Sequence, residues 1–140
     1  MASRSFSGTK PRVIVFADFG GFTHRIDYPN GHVPRSNRHS SQVELLTPQL
    51  QAKLDDWQRS FERDAWRDFT EAPGSMLWVA WDLKALQVCR LLKEHLQSSA
   101  RVIYGKAHED PFARYETMRE ILEDGSIRVL KRDAAANDWL

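Results

Sequence analysis

The sequence predicts an α/β domain of two or three layers, with a short, mostly parallel sheet and a central helical hairpin. Two β-branched apolar runs, at residues 12–18 and 100–104, have the length and composition of strands buried on both faces. Two segments with a helical spacing of apolar residues lie between them. Strands on either side of such a hairpin, if they pair in parallel, are joined by a right-handed crossover. The predicted order is strand, long loop, helix, helix, strand, helix, strand.

The chain has 140 residues, 41% of them hydrophobic, with five Trp and seven Phe, which suffices for one domain with a substantial core. We expect a flexible arm at residues 1–11, a single domain at 12–131 and a C-terminal tail at 132–140. The one cysteine, Cys89, excludes an internal disulfide and a cysteine-based zinc cluster. The longest apolar stretch, residues 76–81, is far shorter than the ~20 residues of a membrane helix. Without a secretion signal at the N-terminus, we expect a cytoplasmic protein with no membrane partner.

Residues 20–46, after the first strand, form the predicted long loop. Their apolar residues show no sustained helical or strand periodicity, and the segment contains Pro29, Gly31 and Pro34. Loops of this length in a domain are commonly functional or disordered. Residues 43–46 are an alternative candidate for a short extra strand.

The first predicted helix begins at Thr47, whose hydroxyl can accept a hydrogen bond from a free N–H, with Pro48 at the first helical position. Its apolar residues have spacings of four, three and four and are Leu50, Leu54, Trp57 and Phe61. The spacing slips near Trp66 and Phe69, which predicts a break or bend there.

The second predicted helix, at residues 76–97, is the more apolar of the two. One stripe consists of Leu77, Trp81, Ala85, Val88, Leu92 and Leu96, and it is widened by Val79, Leu83 and Leu86. Because apolar residues occupy so much of its first half, we expect this helix to be central and covered on more than one side.

The segment after the second strand has two interpretations. Asp110 and Pro111 are typical of a helix start, and Phe112, Tyr115, Met118 and Leu122 keep helical spacing up to Gly125, which favours a third helix. The alternative is a hairpin of residues 115–122 and 126–131 across a turn at Asp124 and Gly125. A strand at residues 127–130 is expected in both cases.

The first strand ends in a candidate phosphate or catalytic site. A carboxylate and two glycines at the carboxyl end of a buried strand lie where open α/β sheets bind ligands. The candidate catalytic residues are Asp18, His24 and Arg25, and the candidate phosphate-binding residues are Gly20, Gly21 and Thr23. The alternative is structural: the glycines let the chain turn, and Asp18 caps that turn or pairs with Arg25. The sequence has no Walker A motif and no dinucleotide-binding fingerprint.

Neither a metal site nor a nucleophile is indicated by the remaining motifs. His24, His32 and His39 share the loop, but their spacings of eight and seven match no compact ligand motif, so no metal or cofactor is expected. Cys89 lies inside an apolar helix, where a thiol usually serves as a small buried hydrophobic group. The formal net charge of +1 shows no overall field that would favour nucleic acid as a partner.

Several segments resemble a loose class of small bacterial proteins, the immunity proteins that neutralise polymorphic and contact-dependent growth-inhibition toxins. The resemblance rests on the end of the first strand at residues 16–20, the helix opening at 45–57, the second helix around 83–86 and the strand at 102–104. These are fold markers within residues 12–104. The resemblance implies a stoichiometric protein binder without catalytic residues, and it transfers no contact position.

The sequence thus favours a non-catalytic protein-binding module, such as an immunity or inhibitor protein that occludes the active site of a toxin or enzyme. The expected binding residues are Arg35 and His39 in the loop, and Asp64, Trp66 and Asp68 on the first helix. Trp is frequent among the residues that dominate interface energies, and an acidic face would complement a basic partner. The alternative function is a small enzyme or a phosphate or nucleotide binder that uses the loop after the first strand.

Overall fold

The computed structural model describes residues 10–17, 19–28, 46–70, 76–107, 118–130, 132–133 and 138–139. The elements are β1 Arg12–Val15, β2 His24–Asp27, α1 Pro48–Thr70, α2 Trp78–Leu96, β3 Arg101–Gly105, β4 Met118–Ile121, β5 Ile127–Val129, β6 Arg132–Asp133 and β7 Asp138–Trp139. A single 3-10 turn, Gln97–Ser99, joins α2 to β3. The mixed α/β content predicted from the sequence is confirmed.

Five strands form the main sheet in the order β2-β1-β3-β4-β5. Only β1 and β3 pair in parallel, and the other three neighbouring pairs are antiparallel. The prediction of a mostly parallel sheet is therefore wrong. It followed only the two strands that flank the helices, and these do pair in parallel with α1 and α2 between them in the chain. Strands β2 and β4 are absent from the favoured prediction, and they pair antiparallel with β1 and β3. Strand β5 was expected, but it follows β4 through a short turn, which parallel pairing does not permit.

Strand β2 lies where the sequence predicted loop. Its four residues, His24–Asp27, include only one aliphatic side chain, so no apolar run marks the strand. The pairing of Val13 with Ile26 and of Val15 with His24 stabilises it at the edge of the sheet. Most of the remaining predicted loop, residues 29–45, lies outside the described residues. The extra strand proposed at 43–46 is therefore described only at its last residue.

The third predicted helix is wrong from Met118 onward, where β4 and β5 form the alternative hairpin. Gly125 has a φ of +83°, which favours glycine, and the Leu122 N–H donates to the Ser126 carbonyl at 2.9 Å. Met118 and Leu122 are four positions apart, and residues at that spacing share one face in a helix and also in a strand. Tertiary pairing with β3 therefore decided between them. Residues 111–117, the start of that predicted helix, lie outside the described part.

Helix α1 begins as predicted, since the Leu50 N–H donates to Thr47 Oγ1 at 3.2 Å. It continues without a break through Trp66 to Thr70, so of the predicted break or bend near Trp66 and Phe69 the break is wrong. The Met76 N–H donates to Asp68 Oδ1 at 3.1 Å, which links the C-terminal part of α1 to the segment that opens α2. That contact places the two helices side by side.

The main core lies between one face of the sheet and the two helices. Trp57 and Trp81 stack at its centre with ring centroids 4.4 Å apart. Each indole N–H donates to the backbone carbonyl of the other tryptophan at 3.2 Å, so the pair joins α1 to α2 by hydrogen bonds as well as by packing. Phe61 and Tyr104 pack around them and are fully buried.

Helix α2 packs against both the sheet and α1, but part of its predicted apolar stripe lies outside these two contacts. Leu86 is buried as expected, but Leu77, Val79 and Leu83 are 71%, 68% and 54% exposed. The other residues of the predicted stripe are buried against the sheet and α1, and they are Trp81, Ala85, Val88, Leu92 and Leu96. An apolar surface therefore faces outward along the first two turns of α2.

Cys89 of α2 lies in the hydrophobic core of the protein and is fully buried. Burial raises the pKa of the Cys89 thiol to about 12, which keeps it protonated and unreactive, as the sequence predicted. Within the described residues, neither α1 nor α2 combines the length and apolar character needed to cross a bilayer.

Candidate functional site

The connection between β1 and β2 brings an aromatic side chain against α1. Gly21 adopts a φ of +84°, which favours glycine and lets the chain turn after β1. The ring of Phe19 lies 4.8 Å from Phe61 and 5.7 Å, edge to face, from Trp66. Two candidate regions that the sequence analysis treated separately, the segment after the first strand and the Trp66 helix face, are therefore one surface.

We call this surface the aromatic patch and define it as Phe19, Phe22 and Trp66. Their side chains are 43%, 62% and 55% exposed. Phe61 beneath them is fully buried, so Phe19 rests on the core while much of its ring remains accessible. The patch thus presents aromatic area from a fixed position on the fold.

Two carboxylates flank the aromatic patch on α1. Asp55 and Glu62 are both exposed, and they lie seven residues apart on the side of the helix that carries Trp66. A Cβ placed on Gly21 would be 3.7 Å from Glu62 Oε1, so the β1–β2 connection passes close to that carboxylate. Asp55 and Glu62 are not among the predicted binding residues, although their helical spacing to Trp66 was the available signal.

The two acidic residues that were predicted to bind a partner are engaged within the fold. Arg63 donates two hydrogen bonds to Asp64, at 2.8 and 3.0 Å, and they hold the pKa of that carboxyl below its ordinary value. Asp68 accepts the Met76 N–H. Asp55 and Glu62 instead accept hydrogen bonds from the neutral side chains of Gln51 and Gln58, so these contacts leave their charges uncompensated. Arg35 and His39 lie outside the described residues.

Of the candidate catalytic residues, the two that the structure describes, His24 and Arg25, lie on opposite faces of the sheet. Thr23 Oγ1 lies 2.8 Å from His24 Nδ1 and accepts a hydrogen bond from Gln51 of α1 at 3.3 Å, so His24 faces the helices. Arg25 lies on the opposite face of the sheet, 3.4 Å from Asp27 and with its guanidinium above the Phe16 ring. Asp18 is outside the described residues. Gly20 and Gly21 serve the turn.

The buried His24 ring makes the stability of the fold depend on pH. Burial lowers the pKa of His24, and the charge of Asp55 only partly opposes this effect. The residue is 6% exposed, and Nε2 of its ring has no hydrogen-bond partner among the described residues. Protonation is therefore resisted in the folded protein and unhindered in the unfolded chain.

We expect the free energy of unfolding to fall as the pH drops below about 6.5, the ordinary pKa of histidine, and to level off below the lowered pKa. Urea unfolding between pH 8 and pH 5 measures this slope. His24→Asn should remove it, whereas His95→Asn, a change at an exposed position on α2, should retain it. An unchanged slope in His24→Asn would contradict the assignment.

Among the described residues, no group of three or more His, Cys, Asp or Glu side chains is arranged to hold a metal ion. Comparisons of the chain with protein-family models, with curated proteins and with solved structures found no match.

Proposed function

We propose that this chain is a non-catalytic protein-binding module, an immunity or inhibitor protein that occludes the active site of a basic toxin or enzyme. The observation that carries the proposal is the aromatic patch, in which Phe19 and Trp66 come from distant parts of the chain and remain about half exposed. Tryptophan and other aromatic residues are enriched at the energetic centres of protein interfaces.

The packing beneath the patch favours tight binding. Phe19 lies between the buried Phe61 ring and the edge of Trp66, so these side chains are already ordered in the free protein. Ordering a side chain on binding costs about 0.5–1.5 kcal/mol, and a surface that is fixed beforehand avoids part of this cost. The patch therefore has the character of a preorganised anchor.

The charges around the patch indicate the kind of partner. Asp55 and Glu62 are exposed carboxylates on the same side of α1 as Trp66. A basic surface around the active site of the partner would complement them and would accelerate association more than it would slow dissociation. Reversal of both charges, Asp55→Lys with Glu62→Lys, should reduce chiefly the association rate.

The test uses the full chain as bait in a lysate of the cells that produce it, beside the double variant Phe19→Ser, Trp66→Ala. We expect a basic protein to be captured in a one-to-one complex, to lose its enzymatic activity on stoichiometric addition of this chain, and to bind the double variant at least about 100-fold more weakly. Val129→Ala, at a half-exposed apolar side chain on β5, is the matched control and should bind normally.

Two results would overturn the proposal. One is an equal affinity of the captured protein for the wild type and the double variant, which would place binding elsewhere. The other is the absence of any stoichiometric complex at micromolar concentration. Circular dichroism and thermal unfolding of the double variant verify that a loss of binding is not a loss of folding.

A further inference from the structure

A groove runs between the outward sides of α1 and α2, away from the aromatic patch. Its larger part has a volume of about 540 Å³, and a smaller depression of about 170 Å³ continues it toward the start of α2. Ser60, Arg63 and Lys84 line both parts, which makes the groove continuous. Trp57 and Val88, both nearly buried, form the apolar floor of the larger part.

The groove is basic. Its cationic side chains are Lys53, Arg59, Arg63 and Lys84, and its carboxylates are Asp56 and Asp64. Arg59 pairs with Asp56 at 3.2 Å and Arg63 with Asp64 at 2.8 Å, so both carboxylates already have a partner. Lys53 and Lys84 form no salt bridge with another described residue and remain able to bind an anionic group.

Exposed apolar residues mark both ends of the groove. Leu77 lines the end near the start of α2 and is 71% exposed, and Leu91 lines the other end and is 42% exposed. Fourteen residues separate them along α2, a distance of about 21 Å or nearly four helical turns. A cation-lined surface for nucleic acid would not need such an apolar floor, because phosphate contacts dominate that binding.

From this combination we infer that the groove is a second docking surface, which receives an acidic amphipathic helix of about four turns from a partner protein. Apolar side chains at helical spacing would lie on the floor between Leu77 and Leu91, as in other helix-in-groove complexes. Glutamate or aspartate side chains on the flanks of that helix would pair with Lys53 and Lys84.

The opposite charges on the two sides of α1 separate this surface from the aromatic patch. Asp55 and Glu62 accompany Trp66 on one side, whereas Lys53 and Arg63 line the groove on the other. A basic partner at the patch and an acidic helix in the groove can therefore bind independently, and the inference does not depend on the proposed function.

The probe is a fluorescein-labelled synthetic helix of 14–18 residues, about the length of the groove, with leucine at positions i, i+4, i+7 and i+11 and glutamate on the flanks. We expect the full chain to bind it at least about tenfold more tightly than a scrambled peptide of the same composition, as measured by fluorescence anisotropy. Lys84→Glu should weaken binding by about tenfold or more. Lys10→Glu, an equal charge change at an exposed residue before β1, should leave the affinity unchanged.

Three results would overturn the inference: equal affinity for the scrambled peptide, no effect of Lys84→Glu, or tighter binding of a single-stranded DNA of similar length. The double variant Phe19→Ser, Trp66→Ala separates the two surfaces. Retained peptide binding by that variant supports the groove, whereas its loss would assign the peptide to the aromatic patch and refute this inference.

Discussion

Replacement of Trp81 by alanine is expected to lower the free energy of unfolding by about 3–5 kcal/mol, the range for removal of a buried aromatic side chain. Trp81 is 5% exposed, and its ring lies 4.4 Å from Trp57 and 5.4 Å from Phe61. The variant would leave a cavity where the two helices meet and would remove one of the two hydrogen bonds that join them. Urea unfolding followed by circular dichroism measures the loss.

A matched pair of milder variants separates packing from hydrogen bonding. Trp81→Phe removes the indole N–H that donates to the Trp57 carbonyl. Trp78 is 8% exposed, and its indole N–H has no hydrogen-bond partner within the part of the chain that the structure describes. Trp81→Phe should therefore cost about 0.5–1.5 kcal/mol more than Trp78→Phe, because only the former removes a hydrogen bond between the helices. The Trp57 carbonyl keeps the hydrogen bond that Ser60 Oγ donates at 2.7 Å. Equal losses would show that the reciprocal hydrogen bonds contribute little.

Replacement of Glu120 by alanine is expected to cost about 2 kcal/mol, because it removes the charged acceptor of three hydrogen bonds. Glu120 lies on β4 and is 5% exposed. Arg101 of β3 donates two hydrogen bonds to its carboxylate, both at 2.9 Å, and Arg128 of β5 donates another at 2.5 Å. The carboxylate thus links three adjacent strands on the face of the sheet opposite α1 and α2.

The same network predicts a loss of stability in acid. Burial by itself raises the pKa of Glu120, but the hydrogen bonds and charges of Arg101 and Arg128 outweigh it and hold the pKa below the ordinary value of 4.5. This contribution is present above about pH 4.5 and is lost as the pH falls through the lowered pKa.

Chemical unfolding between pH 7 and pH 3 tests this sign, with Glu120→Gln as the variant that cannot titrate. The free energy of unfolding should fall less between pH 7 and pH 3 in the variant than in the wild type. The difference is the contribution of the Glu120 carboxyl. Arg128→Ala is the control for the more exposed partner, whose side chain is 55% exposed, and should cost less than about 1 kcal/mol. If the free energy of unfolding fell by as much in Glu120→Gln as in the wild type over this pH range, the assignment would be contradicted.

The local features of the two long helices were predictable from the sequence. The cap at Thr47, the apolar stripe from Leu50 to Phe61 and the burial of Cys89 all follow from residue types at fixed spacing along a helix. Strands β1 and β3 were predictable for a similar reason, because buried central strands carry continuous apolar runs.

The edge and hairpin strands were decided by the tertiary structure. His24–Asp27 and Met118–Ile121 contain polar residues at half or more of their positions, and neither segment is marked as a strand by its own composition. Their conformation is stabilised by backbone hydrogen bonds to β1 and β3, so it depends on residues far away in the chain. Pattern analysis of a single segment cannot contain that information.

The candidate site divides in the same way. The sequence determined which aromatic and charged residues are available, because the helical spacing of Asp55, Glu62 and Trp66 places them on one side of α1. Only the tertiary structure decided that Phe19 lies against Trp66 and that Leu77, Val79 and Leu83 face outward. The reason is physical: spacing fixes the face of a helix on which a residue lies, but burial depends on what the rest of the chain places against that face.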